Sequence, residues 1–213
     1  ADTLIMTVLN RVAAQDLGRL SALSDGIFAF AATVLVLDIH IPERADVHSQ
    51  AELIAGLAAL WPRIVAWLLS FMTLGVFWVG QQTHLYHVKR SDRDLTWLNF
   101  LFLAFVTALP FSTRLLAEYF FYQTALVVYW VNILLCGFSL LGCVVYAERS
   151  NLIKSDAPER FTRAFARRVI VAQLLYAAGA ALGLVNMPLG VGFMVLVQLN
   201  FVLAPRVPFL WNI

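Results

Sequence analysis

Asp25 stands out in the stretch "GRLSALSDGIFAFAATVLVLDIHIPE", residues 18 to 43, because the run that follows it, Ile27 to Leu37, is almost wholly apolar. An ionisable group at the edge of such a run is costly, and it marks either a functional site or a paired network facing protein rather than lipid. Helical geometry separates the acid from its apolar neighbours. At about 100° per residue, with Asp25 at zero, Thr33 falls near 80°, Leu37 near 120°, Phe30 near 140° and Val34 near 180°. Phe30, Thr33 and Leu37 form one stripe, and Asp25 lies about a third of a turn away. The acid and the stripe therefore face different neighbours.

Other groups with chemical potential carry less. His84 and His87, three apart, have a spacing that can ligate a metal, but no Cys, His or acid pair completes a set, so no metal is expected. His84 can instead couple a neighbouring acid to pH, since His titrates near neutrality. Cys136 and Cys143 are seven apart in one apolar segment, about 10 Å along a helix axis and beyond disulfide reach, and read as packing residues. Asp38, beside His40, falls near 220° on the same wheel and off the Thr33 stripe, which favours a structural pair at the boundary over a cation-attracting group. Arg160, Arg163, Arg167 and Arg168 recur at helical spacing; topogenic charge explains them, and anionic lipid heads suit them. "LGVGF" at 189 to 193 lacks a preceding Thr and a pore helix, and reads as helix packing through small residues. No phosphate loop, nucleophile elbow or zinc-protease motif is present, so no enzyme and no cofactor are expected.

The elements that must position these groups follow from composition. Of 213 residues, 61% are hydrophobic and 13% charged, against roughly 25% charged in soluble domains, so the chain is expected to be an all-α, multi-pass protein of the lipid bilayer. The net charge of +2 is nearly balanced and no stretch is a basic arm for nucleic acid. With about 20 apolar residues needed per crossing, six segments qualify: roughly 20 to 40, 55 to 80, 95 to 114, 120 to 147, 165 to 185 and 188 to 207. In the second, Trp61-Pro62 is an alternative start, with an interfacial turn before it and Arg63 snorkelling to the surface. Residues 1 to 20 read as a short helix lying at the membrane surface or packed on the bundle. No polar linker or repeat divides the chain, so residues 1–213 are taken as one domain. Six alternating spans place twelve Lys and Arg on one side against Arg44 and Arg114 on the other, which puts both termini in the cytoplasm. Glu43, Asp46 and Glu52 then fall in an outer loop that reads as solvated. Ser24 and Asp25 share a depth with Trp78, Gln81 and Asn99, and an indole, an amide and a hydroxyl can satisfy the carboxylate in a buried polar clamp.

These residues carry a resemblance. "RLSALSD", residues 19 to 25, resembles the R-x-x-x-F-S-D signature of the transmembrane protein 175 family of potassium channels, with Leu23 where the family has Phe. The likeness continues through "GIFAFAATVLVLDIHIP" and "GVFWVGQQTHLYHVKRSDRDLTWLNFLFLAFVTALPF", covering the first half closely and the second half in hydropathy only. It implies motif residues Arg19, Leu23, Ser24 and Asp25 and a pore without a re-entrant loop, lined by the first helix of each subunit; the polar network expected to support the motif, Trp78, His84 and Asn99, comes from the shared depth above. It further implies a single-unit prokaryotic homotetramer in the cell membrane, permeant potassium ions, and a constriction at Phe30 with Thr33 beyond it; Leu37 on the same stripe and Val34 beside it are taken as pore-lining with them.

The residues agree with that placement in one respect: apolar rings gate by dewetting, and a ring of Thr33 hydroxyls can replace part of an ion's hydration shell. Phe30 is bulkier than the aliphatic residue usual in the family, which tightens the constriction or shifts the gate to Leu37, and Leu23 removes an aromatic contact of the first helix. Two other functions compete. A proton-coupled secondary transporter would exchange protons at Asp25, but the broken helices and paired repeats common in transporters are not evident. An intramembrane enzyme would pair Asp25 with His84, but lacks a third group and a cleft.

Overall fold

The computed structural model describes residues 17–44, 47–158 and 160–203, and the described residues form an all-α bundle. In chain order the helices are α1 (Leu17–Leu37), α2 (Gln50–Ala58), α3 (Trp61–His87), α4 (Arg93–Thr107), α5 (Leu109–Glu118), α6 (Gln123–Arg149), α7 (Phe161–Val185) and α8 (Met187–Leu203). The amino-terminal helix expected before residue 17 lies outside the described residues.

Local chemistry sets the boundaries. Ser49 and Glu52 form a reciprocal capping box that starts α2: the Glu52 amide donates to Ser49 Oγ at 3.2 Å, and the Ser49 amide donates to Glu52 Oε2 at 3.1 Å. Pro62 in the first turn of α3 costs no helical hydrogen bond there. Asp92 caps α4 by accepting from the Leu95 amide at 2.8 Å. Pro110 has no amide proton to continue α4, so the chain re-enters a helix at Leu109, with the single intervening residue Ala108 shared as cap. Asn186 turns the chain between α7 and α8, its Oδ1 accepting from the Leu189 amide at 3.2 Å.

These breaks correct the expected spans. The second is not 55 to 80: α2 is a separate short helix, and the crossing helix runs from Trp61 to His87, the alternative start. Arg63 lies in its first turn and is half-buried. The third is longer than 95 to 114, running from Arg93 to Glu118 in two pieces. Five segments among the described residues, the helices α1, α3, α6 and α7 and the joined α4–α5, are long and apolar enough to cross a membrane. α8 is a shorter apolar helix of 17 residues, and the end of the span expected at 188 to 207 lies outside the described residues.

Two clusters hold the bundle. The larger gathers Phe28, Ala31 and Leu35 of α1 with Leu69 and Phe77 of α3, Phe102 and Val106 of α4, and buried residues of α5 to α8. The smaller joins Val88, Leu95, Cys143, Ala147 and Leu152, with Leu17 against it, at the end of the bundle where α1 begins and α3 and α6 finish. There the loops are strapped together: Val88 and Ile153 form an antiparallel bridge, and the Lys154 amide donates to the His87 carbonyl at 2.8 Å. Both cysteines are buried and unbonded, as packing residues. At the opposite end Trp61 packs on Phe120 with ring centroids 4.9 Å apart, and Gln123 Nε2 donates to the Leu184 carbonyl at 2.6 Å.

The tightest approach is between α7 and α8. A Cβ at Gly190 would stand 2.5 Å from the Gly183 nitrogen and 2.7 Å from the Gly179 carbonyl oxygen, so "LGVGF" is helix-packing sequence. Inside the bundle, Tyr129 OH of α6 lies 3.2 Å from Ser70 Oγ and 3.1 Å from Thr73 Oγ1 of α3, Thr113 Oγ1 of α5 lies 2.7 Å from Ser70 Oγ, and Gln198 of α8 donates to Thr73 Oγ1. This fully internal network, absent from the sequence reading, ties four helices together where lipid offers polar groups no partner.

Candidate functional site: the outward face of the first helix and its anchor

α1 is two-sided. Leu20, Ser24, Phe28, Ala31 and Leu35 are buried, at about 220° to 300° on the wheel that sets Asp25 to zero. Phe28 packs against Phe102 of α4 with centroids 6.1 Å apart, and Phe77 of α3 meets the same ring edge-on at 6.1 Å. The opposite arc is open: Phe30 is 71% exposed, Leu37 72%, and Thr33 is exposed with them, while Val34 at the edge is half-buried. Thr33 Oγ1 donates to the Phe30 carbonyl at 2.8 Å, which uses the hydroxyl proton within the helix and leaves its oxygen lone pairs facing outward.

The anchor lies at the seam between α1 and α3. Trp78 Nε1 donates to Asp25 Oδ1 at 2.8 Å, and Gln82 Nε2 donates to the same oxygen at 2.7 Å. One turn of α3 carries both donors, since residues four apart lie on one face. Beneath them Gln81 Nε2 donates to Ser24 Oγ at 2.9 Å and reaches Asn99 Oδ1 at 3.4 Å, Ser24 Oγ donates to the Leu20 carbonyl at 2.8 Å, and Asn99 Nδ2 donates to the Leu95 carbonyl at 2.9 Å. Charge-assisted bonds to a carboxylate are the stronger kind, so α1 is held to α3 at two levels, the acid above and the hydroxyl below.

This arrangement differs from the expected clamp in three ways. Asp25 and Trp78 lie on the surface of the single chain, not buried; the fully buried layer is Ser24, Gln81, Asn99 and His84. Asn99 meets Gln81 and not the acid. His84 reaches neither, and both its ring nitrogens are buried without a hydrogen-bond partner. Gln82, the second donor to Asp25, escaped the sequence reading; its position one turn after Trp78 on α3 was the available signal. Arg19 and Leu23 sit on the exposed side of α1.

The remaining candidates sort simply. Asp38 Oδ1 stands 3.9 Å from Arg114 Nη1, the interfacial pair its wheel position suggests, although the partner is Arg114; His40 Nδ1 instead approaches the Asp38 carbonyl oxygen at 3.0 Å. His87 Nδ1 contacts the Thr83 carbonyl at 2.8 Å and its ring stacks on Phe161 at 4.2 Å. No group of three or more His, Cys, Asp or Glu among the described residues is arranged to hold a metal.

Comparison with known proteins places this architecture. Residues 19–110 match the family described as endosomal/lysosomal potassium channel TMEM175. A potassium channel of Chamaesiphon minutus is 33% identical over 193 residues, covering 87% of this chain and 93% of the relative, so the likeness runs well past the first half of the sequence. A potassium channel of Streptomyces collinus is 44% identical over 102 residues, where the match covers about half of each protein, 48% in both cases. The human endosomal/lysosomal proton channel TMEM175 is 39% identical over 99 residues, 44% of this chain and 20% of the human protein. The crystal structure of a lysosomal potassium-selective channel TMEM175 homologue from Chamaesiphon minutus superposes with a TM-score of 0.75 at 30% identity, covering 88% of this chain and 97% of that one. Its relatives are ion channels, not enzymes, and the chain belongs to the TMEM175 family.

Proposed function

We propose that this protein is a passive, potassium-preferring cation channel in which α1 of each subunit lines a central pore. The observation that carries the reading is the division of labour on α1: its inner arc is packed, Asp25 is tied sideways to α3, and the arc bearing Phe30, Thr33 and Leu37 is left open on the protomer. A homotetramer assembled around that arc brings four Thr33 hydroxyls together, with acceptor lone pairs free for a partly dehydrated cation, and four Phe30 and Leu37 side chains as hydrophobic constrictions above and below, with Val34 at their flank. The naming of bacterial relatives as potassium channels supports the choice of ion.

In this reading the segment Arg93–Glu118 makes one crossing and α8 a sixth, both termini lie in the cytoplasm, and residues 1–213 form one domain in the plasma membrane of a prokaryotic cell. The crowding of Lys89, Arg90, Arg93, Arg149 and Lys154 at the strapped end supports that orientation. Reconstitution in liposomes tests the function. Under opposed potassium and sodium gradients the expected flux is downhill, faster than carrier turnover and larger for potassium. A saturating flux strictly coupled to protons would instead make Asp25 the centre of a secondary transporter.

A further inference from the structure

A second feature of α3 lies on its other flank. Gly75 and Gly80 withhold side chains where α3 faces α7, and a cavity of about 570 Å³ opens between α3, α6, α7 and the end of α8. Its walls are largely apolar, with Val79, Leu140, Ala172 and Val202 among them, and Arg168 stands in its lining. Arg168 is the eighth residue of α7, about 10 Å along the helix from its start, and among the described residues no carboxylate pairs with it; its guanidinium lies over the Phe201 ring at 5.8 Å. An arginine at that depth of a membrane helix is costly unless an anion meets it or it snorkels to the headgroups. The volume falls within the roughly 300–1,000 Å³ of pre-formed ligand sites.

We propose that this cavity binds one anionic phospholipid, with its phosphate on Arg168 and an acyl chain between α3 and α7. A free anion would gain the single cation and nothing from the apolar walls, and a zwitterionic lipid would gain the walls while its own cationic group competes with Arg168. The chain lies against Trp78, which also lines the cavity and donates to Asp25, so the occupant touches the residue that holds α1. The inference rests on the membrane placement of the bundle and not on conduction, and it is read without an ion gradient.

Native mass spectrometry of the full chain, purified in neutral detergent, provides the test. Phosphatidylglycerol is titrated against phosphatidylcholine of the same acyl chains, with inorganic phosphate as competitor. Phosphatidylglycerol is expected to bind at least tenfold tighter than phosphatidylcholine, about 1.4 kcal/mol. Arg168→Gln should remove that preference, Arg168→Lys should keep part of it, and Val79→Phe, which narrows the cavity from its half-exposed wall, should weaken both lipids. Arg163→Gln, on the same helix but outside the cavity lining, should change nothing. Equal binding of the two lipids, an Arg168→Gln protein of unchanged thermal stability that retains the preference, or full displacement by inorganic phosphate would overturn the proposal.

Discussion

At Thr33 the decisive matter is which half of the hydroxyl is already used. The proton goes to the Phe30 carbonyl, so the side chain presents acceptors alone, the chemistry a cation requires and an apolar ring cannot supply. Thr33→Val keeps the shape and removes the oxygen, and the potassium-over-sodium permeability ratio should fall severalfold with conductance retained; Thr33→Ser should preserve the ratio. An unchanged ratio in the valine variant, measured from reversal potentials in bilayers, would remove Thr33 from any selectivity role. Phe30→Ala should raise the leak current by opening the constriction. At Asp25 the expectation concerns assembly more than current. Asp25→Ala strands the Trp78 and Gln82 donors, at about 0.6–1.7 kcal/mol per membrane hydrogen bond, and should lower the thermal unfolding midpoint in detergent, whereas Asp25→Asn, which keeps an acceptor oxygen, should lower it less. Midpoints that do not separate would mean the carboxylate is not an anchor. Much of this site was legible in the residues, because an acid beside an apolar run demands donors and helical phase says which way it points. Its exposure at the surface of the chain was not legible, since depth in a membrane and burial within one chain are different quantities. Gln82 was missed because two adjacent glutamines compete for one acid, and only the rotation of α3 about its axis decides between them.

Between elements, the approach of α7 to α8 separates packing from composition. Gly190 and Gly192 both lie in "LGVGF", yet a Cβ at Gly192 meets nothing within 4 Å while one at Gly190 runs into the backbone of Gly183 and Gly179. Backbone cannot rotate aside as a side chain can, so Gly190→Ala must separate the two helices, at about 1–3 kcal/mol for overpacking, and Gly192→Ala should be near neutral. Circular-dichroism melts of the two variants in the same detergent check this, and equal midpoints would contradict the close packing. The helices themselves followed from apolar length, and their exact ends did not. A hydropathy window cannot see that Pro110 splits a continuous apolar run into α4 and α5, or that the Ser49–Glu52 box gives α2 its own start. The internal Ser70, Thr73, Thr113, Tyr129 and Gln198 network was invisible for a related reason: hydroxyls and an amide scattered over four helices have no sequence spacing in common, and only packing brings them within bonding distance.

For the whole molecule, the two ends of the bundle carry opposite burdens. At one, the bridge between Val88 and Ile153 straps two basic loops together; at the other, Arg114 serves Asp38 and Glu118, at 3.9 and 3.1 Å. The charge asymmetry along the chain anticipated that partition, because lysines and arginines resist translocation and collect on the cytoplasmic side. It becomes a testable orientation through residues that the fold leaves accessible. His40 and Asp156 are exposed at opposite ends, and the native Cys136 and Cys143 are buried, so a cysteine placed at either exposed position labels over a quiet background. In intact bacterial cells a membrane-impermeant maleimide should modify His40→Cys and leave Asp156→Cys unreacted until the membrane is permeabilised. The reverse pattern would invert the protein and place the basic loops outside, against their electrostatic preference. Labelling of both positions from one side would be more damaging, because α3, the joined α4–α5 segment and α6 carry the chain through three crossings, an odd number, between His40 and Asp156; one of the three would then fail to cross, and an acid anchored at one depth of α1 could no longer share that depth with Trp78 and Gln82 of α3 in the membrane.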